Sequence, residues 1–335
     1  IAELVREVIP NAESVRFAKA GAEVTSAAVR LARAYTGRDK VLCCGYHGWH
    51  DWYIGVTARN LGVPQAVKDL VYTFNYNDMD SVVAALDVDT ACVILEPMTF
   101  DFPKDDFLAK LKDACEANGT LLIFDEMWTG FRWALGGAQE YFGVKADLAC
   151  YSKAIANGMP IAVLAGRADV MDLLDEHVFF FTTFGGETLS LAATVATIRE
   201  LRDKDVPADL ARKGQILMDG YNDIATELGI RDVTYCKGLP ARGLIVFDDK
   251  GGQSLLMKSL VQQELIKRGI LWSGFHNMCY SHTQADLDYT LQAYGEVLAE
   301  LKSALEAGDL EARLRGKPVQ PVFRRTDSFN LKPAR

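Results

Sequence analysis

Apolar runs of four to eight residues alternate with amphipathic stretches over the first two-thirds of the chain. Residues 14–21 (SVRFAKAG) read as a strand running into a glycine turn, and residues 23–37 as an alanine-rich helix closed by Gly37. KVLCCG (40–45) is a second short strand, followed by a YHGWHDW loop and the strand-like DLVYTFNY (69–76). A helix is predicted near Asp78–Leu86 and another over Phe107–Asn118, flanking the buried strand ACVILEP (91–97). TLLIFDE (120–126), DLACYS (147–152) and PIAVLAG (160–166) complete the strand set. Repeated β–α alternation predicts an α/β fold with a largely parallel sheet covered by helices on both faces. Ligands of such sheets sit beyond the carboxyl ends of the strands, and Glu96, Asp125 and Lys153 fall at three of those ends.

The character changes from about Glu187. A long helical pattern (187–204) leads to a second near Leu210–Leu228, then to strand-like VTYCKG and ARGLIVFD. The helix SLLMKSLVQQELIKRG and a last helix around Asp286–Ala307 follow. We expect a large domain over residues 1–200 and a smaller α+β domain over 201–335, its tail extended from Gly308. The amphipathic pattern IAELVREVI begins at Ile1 without a methionine, so a preceding segment of the natural protein is expected.

Charge and composition narrow the partners. A net charge of −9 argues against nucleic acid or an anionic membrane surface as the main partner. Seven cysteines with no C-x-x-C pair fit free thiols in a reducing, cytoplasmic setting. The apolar run from Leu148 to Gly166 is interrupted by Asn157, Gly158 and Pro160, which a spanning helix disfavours. Lys153 is its one charged residue. A buried ammonium is costly unless paired, neutralised or bonded, so Lys153 is either a Schiff-base nucleophile or a strand-end lysine snorkelling to water.

Four motifs surround it. AGAE at 20–23 places Gly21 and Ala22 at a helix N-terminus, where backbone N–H groups suit an anion. YHGWHDW (Tyr46–Trp52) is either a stacking platform for a planar ring, aromatic packing under a loop, or a metal site of His47, His50 and Asp51. His177, His276 and His282 stand in no ligand spacing with it, which argues against a metal. In DEMWTGFR (Asp125–Arg132), Asp125 could hold a heteroaromatic nitrogen protonated or pair with Arg132, and Glu126 is the more structural carboxylate. TTFGGETLS (Thr182–Ser190) suits an anion too, or a helix cap at Thr188.

The series AGAE, YHG, LEP, DEMWTGFR, SKAIANGMP and TTFGGE resembles the class III pyridoxal-phosphate aminotransferases, most of all the branch around glutamate-1-semialdehyde aminomutase. The resemblance implies a fold type I enzyme with a seven-stranded, mostly parallel sheet. It implies pyridoxal 5'-phosphate as cofactor, held as an internal aldimine on Lys153, with Asp125 against the pyridine nitrogen. It sets Tyr46, with His47 beside it, and Met127 on opposite faces of the ring, and Gly21 and Ala22 at the phosphate. Thr183 matches a threonine that reaches the phosphate from the neighbouring subunit, so a homodimer with interfacial sites is implied. The family turn is usually Ser-Gly-Thr-Glu-Ala, whereas this chain has Ala20-Gly21-Ala22-Glu23-Val24, and Asp101 stands where the aminomutase branch tends to have Asn.

The implied reaction moves an amino group from a small-molecule amino donor to a carbonyl acceptor, with a keto sugar among the acceptors left open. The alternatives are an aminomutase, a metal-dependent hydrolase on His47, His50 and Asp51, and a non-catalytic relative. Arg59, Arg242 and His276 read as exposed polar residues, either surface or substrate-facing.

Overall fold

A computed structural model of the chain describes residues 1–98, 100–249 and 252–320. It contains two compact units, the first spanning Ile1–Asp205 and the second beginning at Val206.

The first unit is built on seven strands: β1 (Ser14–Ala18), β2 (Lys40–Cys44), β3 (Val71–Thr73), β4 (Thr90–Leu95), β5 (Leu121–Asp125), β6 (Leu148–Tyr151) and β7 (Ala162–Gly166). Their spatial order is β1-β7-β6-β5-β4-β2-β3. The pairs from β6 to β3 are parallel, and β7 runs antiparallel to both β6 and β1. Six strands therefore share one direction, and their carboxyl ends meet along one edge.

The strands read as unbroken apolar runs because both faces of the sheet are covered. Successive residues enter opposite cores: Val93, Leu95, Leu122 and Phe124 pack on one side, Cys92, Ile94, Leu121 and Ile123 on the other. The helix Gly21–Thr36 covers the second side with Val24, Ala27, Ala28, Leu31 and Ala32, and it ends at Gly37 in the left-handed region. The helix Phe107–Asn118 covers the first side with Phe107, Leu108, Leu111 and Cys115.

Periodicity missed the shortest pieces. Residues 51–54 of the YHGWHDW loop form one helical turn, and further four- and five-residue helices occupy Gln65–Lys68, Ala138–Phe142, Ala168–Met171 and Leu173–Glu176. One turn shows too few residues for a 3.6-residue pattern. The helix Thr188–Asp203 is capped by the Glu187 carboxylate, which accepts from Leu189 N at 2.5 Å and Ser190 N at 3.1 Å, and not by Thr188.

The second unit comprises the helix Val206–Glu227, the antiparallel pair β8 (Thr234–Lys237) and β9 (Leu244–Phe247), and the helices Ser254–Lys267 and Gln284–Ala307. Its first helix starts four residues before Leu210 because Pro207 is tolerated in a first turn. Tyr221, Leu260, Val261, Tyr294, Leu298 and Leu301 fill its core. Arg242 and His276, which read as exposed polar residues, are 6% and 5% exposed. After Gly308 the chain makes a short 3-10 turn at Glu311–Arg313, and the expected extended tail over 321–335 lies outside the described residues. Among the described residues no helix is long and apolar enough to cross a membrane.

Candidate active site

The carboxyl edge of the sheet gathers the residues singled out from sequence. Asp125 ends β5 and is 2% exposed. Its Oδ2 lies 2.8 Å from His47 Nδ1, and its Oδ1 accepts from the Met127 N–H at 3.1 Å. The Asp125 carboxylate is thus engaged by His47, a partner not weighed from sequence. His47 is 1% exposed, its Nε2 is 3.2 Å from Cys44 O, and its ring stacks on Trp52 and meets the edge of Tyr53.

Two further contacts hold this loop. Thr25 Oγ1, on the second turn of the helix Gly21–Thr36, donates to His47 O at 2.9 Å. Glu96, just beyond β4, accepts from the Tyr46 N–H at 2.8 Å. Tyr46 itself remains 43% exposed, its ring edge-on to Tyr53 at 5.6 Å. His50 turns away from His47, with Nδ1 2.7 Å from Ser26 Oγ, and Asp51 is exposed. Among the described residues no three His, Cys, Asp or Glu side chains gather to hold a metal ion.

The turn at Gly21 is close-packed. A Cβ on Gly21 would stand 2.9 Å from Met127 Sδ, and one on Gly48 would stand 2.6 Å from the Ala22 Cβ. Met127 therefore leans on Gly21, and the Ala22 methyl presses on the YHG loop. The Glu23 carboxylate reaches back to the N–H groups of Lys19 and Ala20 at 2.8 Å each, fixing the helix start. Helix N-terminal N–H groups at Gly21 and Ala22 sit on a sixteen-residue helix, so its dipole adds to their pull on an anion.

Glu126 faces away from this edge. It is fully buried and accepts from Thr129 Oγ1 and from the N–H groups of Ala138 and Gln139 at 2.9 Å each. Burial pushes its carboxyl up to about 7. It anchors the turn that follows β5, on which Met127 and Trp128 ride.

Lys153 begins the 3-10 turn Lys153–Ala156 directly after β6 and Ser152, with φ at +49°. In the single chain the residue is exposed. Its Nζ stands 3.7 Å from the centroid of the Trp128 ring. β6 pairs with β5 so that Asp125 is opposite Cys150, three residues before Lys153. Thr183 is exposed on the turn before the helix Thr188–Asp203. That turn is tied back by Lys19 Nζ, which donates to Glu187 Oε2 at 3.0 Å and Ser190 Oγ at 3.1 Å.

Trp128, Thr25 and the Lys19–Glu187 tie were not singled out from sequence. Trp128 carried a signal, a large aromatic inside DEMWTGFR. The other two depend on tertiary neighbours and carried none.

A mostly parallel sheet with a buried aspartate, a strand-end lysine and a helix N-terminus on one edge defines a fold type I pyridoxal-phosphate enzyme. The chain belongs to the aminotransferase class-III family, whose model matches residues 1–283. It is 36% identical over 313 residues to a 3-aminobutyryl-CoA aminotransferase of Cloacimonas acidaminovorans, covering 90% of this chain and 74% of that one. It is 40% identical over 248 residues to a glutamate-1-semialdehyde 2,1-aminomutase of Francisella philomiragia, covering 67% of this chain and 57% of that one. Among solved structures, the internal aldimine form of the FumI protein of Sphingopyxis sp. MTA144 superimposes with a TM-score of 0.82 at 27% identity, over 94% of this chain and 76% of that one.

Proposed function

We propose that the chain transfers an amino group from a small-molecule amino donor to a carbonyl acceptor, with Lys153 and Asp125 as its catalytic residues. The observation that carries this reading is the buried His47–Asp125 pair at the end of β5, beside the strand that leads to Lys153. The donor set fits pyridoxal 5'-phosphate: a primary amine, a buried carboxylate for a pyridinium N–H, and a helix N-terminus for a dianion. When bound, the cofactor supplies an aldehyde for amines and a ring that accepts the electron pair left by a departing proton.

With the cofactor bound, Lys153 Nζ would take the proton from the substrate carbon and return it as general acid. Asp125 keeps the ring nitrogen protonated, and His47 keeps Asp125 oriented. The first-turn N–H groups at Gly21 and Ala22 would hold the phosphate in place of the two hydroxyls that Ala20 and Ala22 lack. Tyr46 and Met127 would bound the ring on its two faces.

The same reading makes the protein a homodimer in which Thr183 serves the partner's site. Phe179, Phe181, Phe184 and Leu189 support it: each is 63% or more exposed, and together they flank Thr183 with apolar surface that a monomer would leave in water. A cytoplasmic setting belongs to it too, supported by seven cysteines that are all free.

Similarity to the 3-aminobutyryl-CoA aminotransferase makes β-amino acyl thioesters the first donors to screen, with keto sugars among the acceptors. Similarity to the aminomutase supports a second reading, intramolecular amino transfer. The two separate on one measurement, since a transaminase stops without an external amino donor and an aminomutase does not. The main test is Lys153→Ala, which is expected to lose both turnover and the borohydride-trappable bond to the cofactor. Turnover at the wild-type rate in that variant, or a colourless active protein inhibited by a chelator, would overturn the reading.

A further inference from the structure

We propose that Trp128 is a positioning residue for Lys153, its indole face being the seat to which the lysine amine returns whenever it is released from the cofactor. The inference rests on the aminotransferase reading and adds to it a residue that reading does not need.

The geometry is a 3.7 Å approach of Lys153 Nζ to the Trp128 ring centroid. Among aromatic side chains, indole offers the strongest negative face for an ammonium. Two mobile surface side chains could meet this way by chance, but both partners here are anchored. On one side, Trp128 belongs to a turn pinned by Glu126 through Thr129, Ala138 and Gln139. Gly130 in that turn lies so close to Tyr151 that a Cβ would stand 2.5 Å from its ring. On the other side, Lys153 follows β6, and Ser152 Oγ donates to Ile161 O at 2.6 Å, which ties the strand end to the segment entering β7. The backbone of Lys153 is itself held at φ +49°. The contact is therefore between side chains carried on two held backbone segments at adjacent strand ends.

Trp128 is also the third of a set within four residues. Asp125 presents its carboxylate, Met127 leans on Gly21, and Trp128 lies under Nζ. One short turn thus addresses the ring-nitrogen site, the helix start and the lysine. In amino transfer the lysine would be free of the cofactor from the arrival of the donor until the aminated product leaves, and would act on a proton from one place throughout. A four-carbon stem has many rotamers, and a π face that attracts the amine narrows them. A steric wall would not do this, because a wall repels from one direction and selects none.

The test compares Trp128→Leu, Trp128→Phe and Trp128→Tyr with the wild type, each checked for an unchanged thermal melt. Stopped-flow absorbance follows Lys153 bonding to added pyridoxal phosphate in cofactor-free protein, and borohydride trapping measures its extent. Steady-state kinetics give kcat and KM separately. The seat predicts a fall of about 3- to 30-fold in kcat for Trp128→Leu, because the ammonium formed on proton abstraction loses its π contact, and a rise of the same span in bonding rate, because only the neutral amine bonds to the aldehyde. Donor KM and equilibrium cofactor retention stay within about twofold, and the Phe and Tyr variants recover most of the loss. Equal rates in Trp128→Leu and wild type overturn the inference, as does a loss carried in KM and shared equally by all three variants. Failure of the wild type to trap cofactor at all would instead overturn the aminotransferase reading.

Discussion

His47 and Asp125 face each other at 2.8 Å with both side chains almost wholly out of water. The Cys44 carbonyl, 3.2 Å from His47 Nε2, can only accept, so Nε2 is a donor there. A neutral ring would then turn its Nδ1 lone pair toward the Asp125 carboxylate. The contact is satisfied only with a proton on the Nδ1···Oδ2 line, which makes the two residues one unit. Removing His47 strands a buried carboxylate, and breaking such pairs costs about 3–5 kcal/mol. His47→Ala is expected to lower the urea midpoint accordingly, whereas His47→Asn, which keeps a donor, loses less. Equal midpoints for wild type and His47→Ala would contradict the pairing.

Gly48 is the next point of vulnerability in that loop. Its φ is +102°, and a Cβ would stand 2.6 Å from Ala22 Cβ and 2.9 Å from Ala22 Cα. Backbone strain and collision act together in Gly48→Ala, for an expected cost of about 2 kcal/mol. Ala22→Gly in the same chain removes the closer of the two contacts but leaves the 2.9 Å approach to the Cα and the strain. A double-mutant cycle by urea denaturation should show favourable coupling above about 0.5 kcal/mol. Strict additivity would mean that Ala22 and Gly48 do not press on each other.

How far the sequence carried depended on what each feature answers to. The strands were legible because β4, β5 and β6 are buried on both faces, leaving apolar runs with turn residues at their ends. Asp125 was legible for the same reason, as a carboxylate closing such a run. The exposure of Lys153 matches the strand-end alternative, whereas its left-handed backbone angle is something no periodicity encodes. Arg242 and His276 misled because a polar residue's burial is decided by tertiary neighbours. His276 is enclosed by Cys236 and Tyr294, from a strand and a helix distant in sequence.

That enclosure makes the second unit acid-sensitive. Burial lowers His276 from its usual 6.5 to about 4. Below pH 6.5 the unfolded chain takes up a proton that the folded unit refuses, so stability is full above 6.5 and falls as pH drops toward 4. Between about pH 7 and pH 5 the loss is about 2 kcal/mol. His276→Gln should flatten this dependence in urea titrations, whatever its effect at pH 7. A parallel pH profile for variant and wild type would remove His276 as the cause.

Glu126 is expected to act with the opposite sign in the first unit. Burial raises it from 4.5 to about 7, against hydrogen bonds from Thr129, Ala138 and Gln139 that favour the carboxylate. Between those two values the unfolded chain sheds a proton that the folded one keeps. Stability from this group is therefore highest below 4.5 and declines as pH rises to 7, levelling off once both states are ionised. From about pH 5 to about pH 8 the decline amounts to about 2 kcal/mol. Glu126→Gln removes the titration but sets an amide N–H against the donors it replaces, so a lower midpoint overall is expected. The diagnostic is the difference between variant and wild type, which should narrow as pH rises. Because Glu126 holds the turn bearing Met127 and Trp128, the same variant should also speed Lys153 bonding to added cofactor, by loosening the indole without touching it. A difference in midpoint that widens with pH would show that the carboxylate, and not the acid, is the form the fold prefers.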